Sequence, residues 1–174
     1  MAFQIQYKVK TFSSILDERV AQQIPWQKEW REDIATFLLP SDYIQSDSSR
    51  FQNVVQELLG AQPKSLSPHL TAKKLIRHCI LNISSTGEYV DLLSNATRGF
   101  DVSGAAAAAS VGRGSECDVV CACIALLRAS GIPARPVIGV TASDTVGTQE
   151  VDPQYIVWGE YALPNAGWVP FNTK

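Results

Sequence analysis

SECDVVCACIALLRASGIPAR, Ser115 to Arg135, carries the pattern that organises the fold. From Val119 to Leu127 it holds no charged residue. A helix that is apolar all round has to be covered on every side. Its charges, Glu116, Asp118 and Arg128, lie at the two ends. Ser115 caps the start and forms a capping box with Asp118. Gly131 stops the helix, and Ile132-Pro133 turns the chain into a strand over Ala134 to Thr141.

Two more strands are predicted downstream, Gln154 to Leu163 and Gly167 to Phe171. Pro164-Asn165-Ala166-Gly167 between them has hairpin chemistry. Antiparallel strands are the natural cover for the apolar helix. Ala142 to Pro153 reads as a polar, acidic loop. Its Asp144, Glu150 and Asp152 lack the spacing of a calcium loop.

Upstream, Gly112-Arg113-Gly114 is a glycine-flanked turn, too little alone for a phosphate cradle. Ala105 to Ala109 reads as a short, tightly packed helix ending at Gly112. Asn95 to Ser103 is a loop of turn formers. A helix begins at Ser67-Pro68 and buries a stripe of Leu75, Ile76, Cys79, Ile80 and Ile83. Another is capped by Ser46 or Asp47 and ends at Gly60. Trp26 and Trp30 stand at helical spacing as core anchors. Phe3, Ile5, Tyr7 and Val9 alternate as a strand. The expected class is α+β, with N-terminal helices and a central buried helix on an antiparallel sheet. One domain spans 1–174: a strand and helical part over about 1–100, and the core helix and sheet over about 101–174.

The chain has 174 residues, 45% hydrophobic and 18% charged, which suits a folded core rather than disorder. A net charge of −2 gives no electrostatic case for nucleic acid or an anionic membrane. No stretch approaches the roughly 18 apolar residues of a membrane helix, and the start lacks a signal-peptide core. A cytoplasmic protein is the expectation. Cys79, Cys117, Cys121 and Cys123 lack zinc-ligand spacing and read as buried reduced thiols. No metal or cofactor is expected.

The run Ala125 to Arg135 resembles the helix-to-strand segment of transglutaminase-like domains, a branch of the papain-like fold. Trp158 to Asn172, WGEYALPNAGWVPFN, resembles the hairpin of the same family, and Gly112-Arg-Gly-Ser resembles the turn before its nucleophile. The resemblance implies a Cys-His-Asp triad acting on amides. In the family pattern the cysteine stands twelve residues before an arginine that is here Arg128, so its slot holds Glu116. The histidine stands two residues before the hairpin tryptophan, Trp158, so its slot holds Ile156. The aspartate slot holds Asn172. Isoleucine neither accepts nor donates a proton, whereas asparagine can still orient a base.

Three readings follow. The first is a silent transglutaminase-like domain that binds a peptide or protein, with Trp158 and Trp168 lining its groove, or that serves as a structural module. The second is a thiol-dependent amide hydrolase or acyltransferase with Cys117 as nucleophile. Cys117, however, shares a helix face with Val120, Cys121 and Ile124, and both histidines, His69 and His78, precede it. The third is a hydrolase using Glu116 with Asp118, whose i, i+2 spacing points them apart.

Overall fold

Ser115 does cap the central helix. Its hydroxyl accepts from Asp118 N at 3.1 Å, and Asp118 Oδ2 accepts from Ser115 N at 3.0 Å. The computed structural model containing this helix describes residues 15–86, 90–91, 96–97, 102–140, 144–146, 149–151 and 155–173. The expected strand at Phe3 to Val9, and most of the loop from Asn95 to Ser103, lie outside the described residues.

The helical part runs α1 (Glu18–Ala21), α2 (Glu32–Ala35) with a 3-10 turn (Thr36–Leu38), α3 (Ser49–Leu59) and α4 (Pro68–Asn82). Short strands β1 (Ser84–Ser85), β2 (Val90–Asp91) and β3 (Ala96–Thr97) precede α5 (Ala105–Val111). Strand β4 (Arg113–Gly114) leads into α6 (Glu116–Ala129). The chain closes with β5 (Ala134–Val140), β6 (Asp144–Val146), β7 (Gln149–Val151), β8 (Tyr155–Leu163) and β9 (Gly167–Phe171).

Helix α6 is the hub. All of its residues from Cys117 to Leu127 are buried. It packs on α3, α4, α5, β5 and β8, so no side is left to solvent along the apolar run. Each fully buried Leu or Ile there contributes about 1.5–3 kcal/mol. One hydrophobic cluster reaches from Ala21 to Val169 through this helix. Gly131, at φ 87°, ends the helix in a conformation that penalises a side chain. Arg128 then ties the exit down, donating to Ala134 O at 2.9 Å and Leu39 O at 2.5 Å.

Strands β5, β8 and β9 form an antiparallel sheet in the order β5-β8-β9. Tyr161 sits opposite both Ala134 and Val169, and Gly159 opposite Phe171. Val157, Gly159 and Tyr161 are buried while Ile156, Trp158 and Glu160 are not, the period of two of a one-sided sheet, which holds as far as Tyr161. The Phe171 ring occupies the space a side chain at Gly159 would need.

Several expectations need correction. Trp26 and Trp30 lie in irregular chain, not on a helix; each indole N–H instead satisfies a carbonyl, Leu66 O at 2.7 Å and Gly131 O at 3.1 Å. Ser48, not Ser46 or Asp47, precedes α3. Ile80 is 38% exposed, because the buried face of α4 is centred on Ala72, Leu75, Ile76 and Cys79. Within Ala142 to Pro153, β6 and β7 pair as a ribbon, in keeping with the β-branched Thr145, Val146 and Val151. Arg113–Gly114 pairs in parallel with β1, which leaves the glycine turn as a strand edge and not a cradle.

Candidate functional site

Glu116, the first residue of α6, stands at the positive end of the helix. The end of β9 brings Pro170, Phe171 and Asn172 to the same place, and β8 brings Ile156, Val157 and Trp158. Together they line a cleft of about 500 Å³. Glu116, Ile156 and Asn172, scattered over the last third of the sequence, therefore converge on one cavity. Glu116 is the one ionisable side chain among the described residues that line it. Ile156 and Val157 are neighbours on opposite faces of β8, and both reach the cleft. Neither can carry a proton, so a shift of one residue from Ile156 to Val157 supplies no base.

Both histidines of the sequence are placed elsewhere. His69 is buried at 2% exposure, with Nδ1 2.8 Å from the Tyr161 hydroxyl and Nε2 3.9 Å from Glu18 Oε2. Burial holds its imidazole below the ordinary histidine range. His78 lines a separate cavity of about 200 Å³, beside Asn82.

Cys117 is 7% exposed and does not line the cleft. Its helix face, shared with Val120, Cys121 and Ile124, is buried in the core. A hydrogen bond from the Cys121 thiol draws the Cys117 thiol below its ordinary range, against burial and the Asp118 carboxylate. The same bond, with burial, pushes Cys121 far above it.

Asp118 is no partner for Glu116. Its Oδ1 accepts from Ser103 N at 2.8 Å and Gly104 N at 2.7 Å, while Oδ2 closes the capping box. It is a buried strut joining the starts of α5 and α6.

Of the two tryptophans expected in the groove, Trp158 lines the cleft and Trp168 does not. The Arg135 guanidinium lies 4.1 Å from the Trp168 ring centre and pairs with Glu160 at 2.8 Å. Phe37 meets the same indole edge-on at 5.1 Å. Trp168 is a packing residue on the outer face of the sheet, held between Arg135 and Phe37. Among the described residues no group of three potential metal ligands forms, and no helix is long and apolar enough to cross a membrane.

The residue that sequence reasoning passed over is His69. It falls three, seven and ten residues before Ala72, Ile76 and Cys79, on the buried face of α4. That spacing was visible; the partner on β8 was not.

Three solved structures share the fold. A candidate cysteine protease from Cytophaga hutchinsonii superposes with TM-score 0.64 at 21% identity, covering 91% of this chain and 47% of that one. A candidate protease from Parabacteroides distasonis gives 0.51 at 15% identity, covering 81% and 26%. The periplasmic domain of TgpA from Pseudomonas aeruginosa gives 0.50 at 20% identity, covering 79% and 45%. The chain spans less than half the length of each. No curated protein matches it. The model of the transglutaminase-like superfamily matches residues 56–173, from within α3 through the end of β9. This chain therefore belongs to the transglutaminase-like superfamily.

Proposed function

We propose that this domain has kept the family's cleft and lost its chemistry, and that the cleft binds an extended peptide segment without cleaving it. The observation that carries the reading is the lining of that cleft. Glu116, Ile156 and Asn172 take the positions that the family pattern gives to nucleophile, base and orienting acid. Acyl transfer from an amide needs a nucleophile and a group to move its proton. Glutamate is a poor nucleophile at a helix start, and isoleucine moves no proton. What remains is a cavity with an aromatic wall, Trp158 and Phe171, and polar ends, Glu116 and Asn172. Such a lining suits a peptide with an apolar residue flanked by backbone amides.

The test is turnover. Purified protein is incubated with peptide amides and with a glutamine donor plus an amine acceptor, beside a Cys117→Ala variant. The reading expects the two proteins to be indistinguishable. Product formation that Cys117→Ala abolishes overturns it.

One observation favours a second reading, a thiol enzyme built on Cys117. The neighbouring Cys121 thiol draws the Cys117 thiol below its ordinary range, and the start of α6 favours a thiolate there. Two facts count against it: the burial of Cys117, and the placement of both histidines away from the cleft.

A further inference from the structure

A second groove, of about 750 Å³, runs along the outer side of α4. It adjoins the first cleft across Pro170 and Phe171. Its floor is apolar, with Ile76, Val169 and Phe171. Its rim carries three cations, Lys73, Lys74 and Arg77, against one carboxylate, Glu18. At the far end Ile80 and Leu81 are 38% and 71% exposed. Ile80 has the sequence spacing of a core residue and is left out of the core, so α4 presents an apolar patch next to a basic one.

We infer that this groove docks an acidic amphipathic helix of a partner protein. The rim selects for acid by charge complementarity. Glu18 shows what its near end accepts: that carboxylate is held by Lys73 Nζ at 2.8 and 2.9 Å, with the buried His69 Nε2 at 3.9 Å. His69 Nε2 has no hydrogen-bond partner. Lys74 already donates to Leu58 O at 2.7 Å, and Arg77 makes no ion pair among the described residues. From Lys73 to Leu81 the helix rises about 12 Å, room for two turns of a partner helix.

Two other occupants fit less well. Residues 1–14 carry Lys8 and Lys10, no acid, and an alternating apolar pattern, so both charge and period are wrong. A second copy docked through the same face about a two-fold axis would set basic rim against basic rim.

The probe is a fluorescein-labelled 15-residue helical peptide with leucines on one face and glutamates on the other, read by anisotropy. A matched peptide with lysine for glutamate is the control. The glutamate peptide should bind at least tenfold more tightly than the lysine peptide. Arg77→Glu and Leu81→Asp, both at exposed positions, should each raise its Kd at least tenfold with unchanged circular dichroism. Glu116→Gln, in the other cleft, should leave the Kd unchanged, which separates this proposal from the one above. Equal binding of the two peptides, no binding, or indifference to Arg77→Glu overturns it. So does a tenfold gain in affinity on removing residues 1–14, which would make that segment the occupant. A dimer in sedimentation that Arg77→Glu dissolves would make it a second copy, and also overturns it.

Discussion

The Tyr161 hydroxyl and His69 Nδ1 meet at 2.8 Å, joining the central strand of the sheet to α4 across 92 residues of sequence. The contact is buried, and it is a direct side-chain link between α4 and the central strand of the sheet.

That contact makes stability depend on pH. Burial lowers the His69 pKa from its ordinary 6.5. As pH falls below that value, the unfolded chain takes up a proton that the folded chain refuses. Stability contributed by neutral His69 is thus fully present above about pH 6.5 and falls away below it, levelling off once folded His69 protonates. Urea unfolding between about pH 7.5 and 5 should show this loss, and His69→Gln should flatten it. An equal slope in both proteins would place the pH dependence elsewhere.

Asp118 should be among the costliest polar positions in the molecule. It is 3% exposed and accepts three backbone N–H groups, from Ser103, Gly104 and Ser115. Asp118→Ala leaves those donors unpaired and removes half of the capping box. A loss of about 2–4 kcal/mol is expected in urea denaturation. A loss under about 1 kcal/mol would mean that water replaces the carboxylate.

Gly159 tests the wall of the cleft. A methyl group there meets the Phe171 ring, which also lines the cleft. Gly159→Ala should cost about 1–3 kcal/mol by overpacking and should displace Phe171. Near-ultraviolet circular dichroism, read with thermal unfolding, checks both effects. An unchanged spectrum and midpoint would show that Phe171 has room to move.

Much of this architecture could be read from the chain. The cap at Ser115, the uncharged run from Val119 to Leu127, and the stop at Gly131 are local signals with local causes. The hairpin from Tyr155 to Phe171 likewise follows from alternation and from Pro164 to Gly167. Glu116, Ile156 and Asn172, three of the residues that line the cleft, were singled out through motif spacing, because a long motif fixes register across a gap that periodicity cannot bridge. What was missed depends on tertiary context. Ile80 has the spacing of a core residue, but α4 buries a face that stops short of it. Trp168 and Trp158 look equivalent, and the strand pairing puts both on one face of the sheet; only their places along it separate the one that lines the cleft from the one that packs on Arg135 and Phe37. His69 needed Tyr161, and nothing local announces a partner 92 residues away.

Placing a thiol and an imidazole in the cleft is a further prediction. Glu116→Cys places a thiol in the cleft, and Ile156→His places an imidazole on the same lining. An unperturbed thiol with a pKa near 8.5 is about 3% thiolate at pH 7, so pairing it with a base should raise its alkylation rate on the order of 10-fold. The comparison is the double variant against Glu116→Cys alone, with iodoacetamide at neutral pH. Equal rates would show that the two positions do not face one another.

The central claim is that Cys117 is a core residue and not a nucleophile. Alkylation of the unaltered protein by iodoacetamide, mapped to Cys117 by mass spectrometry from about pH 6 to 9, tests it most directly. The account predicts modification slower than that of a free cysteine at every pH, limited by burial. Modification of Cys117 faster than a free thiol at about pH 6, already on a plateau, would contradict it.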